Sequence, residues 1–259
     1  VMTYGSYKFP FRKWSVNLIK KADFAYARDE KTAKEVGSFV KVTSDMAFGL
    51  PYDKTAYHFD AKKKFGINVS SLLWDDNTRG RFGLSIDYKM FYRTLITDLI
   101  QNGEYQVHII PHVIDHKHYE AGENDYRICC ELEKEFKGNV ILAPAFETAI
   151  QAKSYISNMD IFLGSRMHST IGAISSGVAT IPLSYAYKFE ALYSHIQYPY
   201  VINARVVTTE EALKMTKQWM NEVDTLKEAG KIAVNHALDE LVDFKKNLQE
   251  SLKSNHLLG

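Results

Sequence analysis

The chain has 259 residues, 46% hydrophobic and 24% charged, with a formal net charge of +1. That length allows one large or two modest globular domains, and the near-neutral balance argues against a nucleic-acid partner. No apolar stretch approaches the roughly 18–20 residues of a membrane span, and the adjacent Cys129 and Cys130 have neither metal-site spacing nor bridging geometry, which suits a reducing, cytoplasmic setting.

Strand and helix patterns alternate along the chain, the signature of a parallel sheet covered by helices. Residues 1–4 read as the end of a strand. Phe11, Trp14, Leu18 and Ile19 recur at helical spacing, 24–27 reads as a short strand, 29–36 as a helix stopped by Gly37, and 39–42 as a further strand. Residues 51–64, with no clear period, read as a linker. Beyond it, 65–69 reads as a buried strand, 88–101 as a helix with Phe91, Leu95 and Leu99 on one face, and 106–110 as a strand stopped by Pro111. Helix at 124–136, strand at 140–142, helix at 148–158 and strand at 161–163 continue the alternation. A strand at 180–183 and helices at 210–221 and 224–252 close the chain.

Residues 164–170, Gly-Ser-Arg-Met-His-Ser-Thr, join the strand before them to a helix expected from near Ser169 to Gly177. In an open α/β sheet, ligands collect beyond the carboxyl ends of the strands, where a helix N-terminus offers free N–H groups and about half a positive charge. Arg166 adds a planar fork suited to carboxylate or phosphate, and His168 a group that titrates near neutrality, a candidate general acid–base. The local pattern also fits a capped turn whose arginine pairs with a surface carboxylate. Lys188, just past the next strand, is placed to reach the same crevice, and His112 ends a strand where it either faces the cleft or bonds structurally. His112, His116 and His118 with Asp115 crowd one loop, but without the helical context of a metal site they read as solvated, with no metal. Tyr185, Tyr187, Phe189, Tyr193, Tyr198 and Tyr200 suit sugar stacking and core packing about equally.

Taken together, these stretches resemble the polysaccharide pyruvyl transferase family. The resemblance rests on the Arg166-Met167-His168-Ser169 turn with its helix, the strand after Gly177 and Tyr185-x-x-Lys188. It rests also on Arg28-Asp29-Glu30 ending a strand, Asp45-Met46-Ala47-Phe48, residues 66–70, and Ile109-Ile110-Pro111-His112 followed by Asn124-Asp125. Ala179 stands where the family has proline, and Tyr4-Gly5-Ser6 resembles a Gly-Pro-Phe loop with Ser6 in place of the proline.

The resemblance implies two Rossmann-like domains of the GT-B glycosyltransferase type, the first incomplete, with further chain ahead of Val1. Residues 1–60 would be the end of the first domain plus linker, 61–223 the second, donor-binding domain, and 224–259 a closing helix that crosses back. It implies a transferase of polysaccharide (exopolysaccharide) biosynthesis that moves the pyruvyl group of phosphoenolpyruvate onto two saccharide hydroxyls as a ketal. Phosphoenolpyruvate would be a co-substrate, with no resident cofactor. The acceptor would be a saccharide or a lipid-linked oligosaccharide, the latter bringing peripheral contact with a membrane. Arg166, Met167, Ser169, Lys188 and Arg28 are the expected donor-binding residues and His168 the catalytic one; His112, Tyr185 and Gly5 are further candidates. A GT-B glycosyltransferase using a nucleotide sugar and a non-catalytic saccharide binder also fit, although nothing in the chain specifically reads a nucleobase.

Overall fold

The computed structural model describes residues 11–22, 24–76, 80–120 and 123–254; the strand expected at 1–4 and Gly5 lie outside them. The first unit comprises α1 (Phe11–Ile19), β1 (Tyr26–Ala27), α2 (Glu30–Val36) and β2 (Lys41–Val42). β1 and β2 pair in parallel as a separate two-stranded sheet. α2 starts where it does because the Asp29 carboxylate accepts the Thr32 N–H at 2.8 Å, a side-chain N-cap. Two 3-10 helices, Met46–Gly49 and Lys54–Ala56, lead onward.

The second unit runs β3 (Lys63–Asn68), α3 (Ser71–Asp76), α4 (Tyr88–Asn102), β4 (Tyr105–Ile109), α5 (Asp125–Phe136), β5 (Val140–Leu142), α6 (Ala149–Ile156), β6 (Ile161–Gly164), α7 (Met167–Ile174), β7 (Ala179–Ser184), α8 (Tyr187–His195), β8 (Ile202–Asn203), α9 (Thr209–Met220) and α10 (Val223–Ser254). Its strands form one six-stranded sheet in the order β5-β4-β3-β6-β7-β8, parallel throughout. Ranked within the unit, that is the doubly wound order 3-2-1-4-5-6, whose ligand crevice opens where the order reverses, between β3 and β6. The central strands are covered on both faces and therefore read as unbroken apolar runs: Phe65, Ile67, Ile161, Phe162 and Leu163 are wholly buried. The α/β class and the parallel sheet expected from the sequence are the ones observed.

Several local expectations need correction. α7 begins at Met167 rather than near Ser169 and ends at Ile174, so that Arg166 is its N-cap residue and His168 lies in its first turn. The cause is a distant side chain: Asn68 Oδ1 accepts the Arg166 N–H at 3.0 Å and the Ser169 hydroxyl at 3.0 Å, fixing the turn so that the helix starts at once. Gly164 permits the close approach, since a Cβ there would lie 2.7 Å from the Phe162 ring and 3.0 Å from Ser169 Oγ. The last two residues of the expected linker belong to β3, where Lys63 and Lys64 pair with Tyr105 and Gln106. α3, α8 and β8 were not expected; α8 takes in the middle of the aromatic run, with Phe189, Leu192 and Tyr193 on its buried face, while Tyr185, Tyr198 and Tyr200 lie outside it.

α10, 32 residues long and hence about 48 Å, joins the two units. Its first half buries Leu226, Ala233 and Ala237 against the large sheet. Further on, Phe244 packs edge-on to Tyr26 with ring centroids 5.0 Å apart, and the Thr43 hydroxyl donates to the Glu240 carbonyl. α10 therefore contacts both units. The intervening segment is tied to α6, where Lys153 Nζ donates to the Leu50 carbonyl at 2.7 Å and the Asp53 N–H to Ser154 Oγ at 2.9 Å. Among the described residues, no helix is long and apolar enough to cross a membrane.

Candidate functional site

The carboxyl ends of β3 and β6 carry Asn68 and Gly164, and the crevice beyond them is built around Arg166. Its side chain is not free. Nε and Nη2 grip the Asp125 carboxylate at 2.9–3.3 Å, and Asp125 itself is wholly buried. The same carboxylate accepts the Ser71 N–H at 2.9 Å and the Val113 N–H at 3.0 Å, so it ties together the starts of α3 and α5, the loop after β4 and the arginine. Burial works against the arginine's charge, but Asp125 outweighs it and raises the pKa further. Nη1 points the other way, with Glu123 at 3.9 Å. The alternative of a paired arginine therefore holds in a changed form: the main partner is a buried carboxylate, and Glu123 and Tyr185 stand by the remaining edge of the guanidinium.

The opposite wall comes from the first unit. Arg28, just past β1, donates from Nη1 to Asp45 at 2.6 Å, and Asp45 caps the 3-10 helix at Met46–Gly49 by accepting the Ala47 N–H at 3.0 Å. His168 of the second unit places Nε2 3.6 Å from the same Asp45 carboxylate, with its side chain 54% exposed. Burial alone would raise the Asp45 pKa; His168, the Ala47 amide and Arg28 together hold it well below the usual carboxylate range. Arg28, Asp45 and His168 thus form a continuous polar chain between the units.

Lys188, exposed in the first turn of α8, has a pKa lowered by partial burial and then by the neighbouring charges of Arg28 and Arg166. Three cations drawn from separate elements therefore converge, and their mutual repulsion is what an anion would relieve. His112 stands near His168 in the same cleft. Burial pulls its pKa down to about 4, and its buried Nδ1 has no hydrogen-bond partner. Both histidines line a cleft of about 380 Å³ between Met46, Ala47 and Leu50 on one side and Lys153 and Ile156 on the other.

The remaining expected residues are placed differently. Met167 is a core side chain, 4% exposed, so only its backbone N–H at the uncapped start of α7 can serve a ligand. The Ser169 hydroxyl is buried and bonded to Asn68 Oδ1 and the Arg166 carbonyl, which makes it a fastening of the turn. Tyr185 is 6% exposed, its pKa raised by burial, and it stands beside Arg166 with its ring edge-on to Phe82 at 5.4 Å. In the loop after β4, His118 pairs with Asp115 at 3.2 Å while His116 turns toward Glu147 at 3.7 Å. The sequence reading omitted Asp45, Asp125 and Asn68 from the site, although each stands in a stretch that carries the resemblance.

The polysaccharide pyruvyl transferase family model matches residues 12–187, a span that contains Arg28, Asp45, Asp125, Arg166 and His168. The chain belongs to the polysaccharide pyruvyl transferase family. No curated protein sequence matches it significantly. Among solved structures, it is similar to a UDP-GlcNAc 2-epimerase from Neisseria meningitidis bound to UDP-GlcNAc, with TM-score 0.54 and 11% identity over 92% of this chain and 63% of that one. It is also similar to the glycotransferase of kitacinnamycin, with TM-score 0.48 and 13% identity over 84% of this chain and 51% of that one. For the glycosyltransferase SnogD from Streptomyces nogalater the TM-score is 0.45, with 12% identity over 85% of this chain and 53% of that one. These are likenesses of fold alone. The chain thus spans half to less than two thirds of the length of each.

Proposed function

We propose that this pyruvyl transferase family member transfers the pyruvyl group of phosphoenolpyruvate to a saccharide as a cyclic ketal. The observation that carries the reading is the exposed His168 beside the Arg28–Asp45 pair, with Lys188 in the field of Arg28 and Arg166. Phosphoenolpyruvate presents a carboxylate and a phosphate on adjoining atoms. Arg166, Lys188, Arg28 and the backbone N–H groups opening α7 supply fixed positive potential for both.

His168 acts as the general acid–base. It delivers a proton to the methylene carbon, which becomes the methyl group as C2 turns electrophilic and the first saccharide hydroxyl attacks. The second hydroxyl displaces phosphate from C2. Of the two hydroxyl protons, one replaces the proton His168 gave and the other leaves with phosphate, so the reaction needs no oxidant or reductant. Asp45 orients the imidazole, as a carboxylate does for a neighbouring histidine, and Arg28 holds Asp45.

The test is calorimetric binding of phosphoenolpyruvate, followed by phosphate release when saccharides are added and mass measurement of the product. Binding with release of one phosphate per ketal formed is expected. Turnover of a nucleotide sugar with no uptake of phosphoenolpyruvate would replace this reading with glycosyl transfer, and saccharide binding without turnover of either donor would make the protein a binder.

A further inference from the structure

Away from the cleft, two histidines and a glutamate converge where the two units meet. His195 ends α8, while His236 and Glu240 stand one turn apart on α10. His195 Nε2 lies 2.9 Å from Glu240 Oε2 and His236 Nε2 lies 3.5 Å from Glu240 Oε1. One potential ligand atom from each residue falls within 4.8 Å of the others. The cluster is shielded, with side chains 10%, 35% and 23% exposed for His195, His236 and Glu240.

We infer that His195, His236 and Glu240 form a binding site for a single zinc ion. Two imidazole nitrogens and one carboxylate oxygen are a zinc ligand set, and Zn–N and Zn–O bonds of about 2.0–2.2 Å in a tetrahedron separate neighbouring ligand atoms by about 3.3 Å. The two imidazoles face different oxygens of the Glu240 carboxylate at 2.9 and 3.5 Å, and with one ligand atom taken from each residue all three lie within 4.8 Å, so a small side-chain adjustment brings them to that spacing. Among the described residues, no other group of three histidine, cysteine or acidic side chains is so disposed. The outer shell is also in place: the Ser44 hydroxyl donates to Glu240 Oε2 at 2.5 Å, which fixes the carboxylate's orientation. Zinc needs the Nε2 lone pair of each imidazole with one proton on Nδ1, so a charged His195 releases its Nε2 proton to solvent on binding, whereas a neutral His195 only shifts its proton to Nδ1. Water completes the tetrahedron from the exposed His236 side. Because Ser44 belongs to the first unit, α8 to the second and α10 to both, the ion fastens the crossing helix over the junction. The site is independent of pyruvyl transfer.

The experiment titrates Zn²⁺ into the untagged, chelator-treated protein, with stoichiometry and affinity read by competition against a chromogenic chelator. One equivalent is expected, together with a zinc-dependent rise in thermal midpoint. His195→Ala and His236→Ala should each abolish both effects; His236 is on the exposed side, so its variant keeps the fold even if His195→Ala does not. Ser44→Ala should weaken binding about tenfold, in the range found for outer-shell partners. His118→Ala, in the solvated loop, should change nothing. The inference is overturned by the absence of micromolar binding, by an equivalent that survives His236→Ala, or by one that vanishes in His118→Ala.

Discussion

Asp125 holds Arg166 and Asp45 holds Arg28, and they hold them differently. Asp125 is wholly buried and accepts from two backbone amides besides the fork of Arg166. Asp45 is shared between units, bonded to Arg28 and in ion-pair range of an exposed His168. A carboxylate saturated by main-chain donors is part of the fold, and the arginine on it is aimed rather than available. A carboxylate that meets a solvent-accessible histidine across a junction orients a group that must move protons. One wall fixes charge in place, and the other keeps a titrating group in reach.

The largest way to break this comparison is Asp125→Ala. It leaves the Arg166 charge buried without a partner and strands the Ser71 and Val113 amides, so urea unfolding should show a loss of about 3–5 kcal/mol. Arg166→Ala should destabilise by a similar mechanism, since it leaves the Asp125 charge buried without its partner. Asp45→Asn should cost less than Asp125→Ala, because an amide oxygen still accepts the Ala47 N–H and His168 remains exposed to solvent, although the Arg28–Asp45 pair is itself largely shielded. Equal losses at the two aspartates would erase the distinction.

His168→Gln tests the other wall. Its side chain is 54% exposed, so the fold should stay intact and phosphoenolpyruvate affinity should change by a modest factor, while turnover falls about 10²–10⁴-fold as expected for a lost general acid–base. Calorimetry beside a phosphate-release assay separates the two. Near-normal turnover would reassign the proton transfer, with His112 next in line.

The elements that built this cleft were legible wherever periodicity or capping set them, which is why β5 was expected at its observed bounds and α2, with its Asp29 cap and Gly37 stop, within one residue. The turn carrying Arg166 and His168 could be found because residue types that handle anions and protons stood at a strand end. The pairing could not be. Arg166 and Asp125 are 41 positions apart, and nothing local to either distinguishes a ligand-facing arginine from one gripping a buried carboxylate. The start of α7 was hidden for the same reason, since Asn68 decides it from 98 positions away.

Acid sensitivity gives a sharper view of the cleft floor. Burial lowers the His112 pKa from 6.5 to about 4, so the folded protein resists a proton that the unfolded chain accepts. That contribution to stability is complete above pH 6.5 and is lost as pH falls through about 4, for a total of about 3 kcal/mol. Unfolding free energies measured from pH 7.5 to 3.5 should converge between the native protein and His112→Gln across this window. The Asp45 contribution lies lower, since its depressed pKa keeps stability until pH drops below the ordinary carboxylate value. A difference curve flat between pH 6.5 and 4 would mean that His112 is solvated in the folded state.

The smallest effect on the fold belongs to Lys188, and it has the opposite sign. Its pKa is lowered by burial and by the like charges of Arg28 and Arg166, so in the empty cleft the ammonium is held against its neighbours. Lys188→Met keeps the apolar stem, removes that repulsion, and should leave stability unchanged or raised by less than about 1 kcal/mol. The same charge becomes favourable once a phosphate arrives, and its loss should weaken phosphoenolpyruvate binding by about 1.5–3 kcal/mol, the worth of a charge-assisted contact. Thermal melts with and without ligand test both signs at once: the variant should melt at or above the native protein alone and below it with phosphoenolpyruvate. A variant that loses stability in the empty state would show that Lys188 braces the fold, as Arg166 does, rather than waiting for an anion.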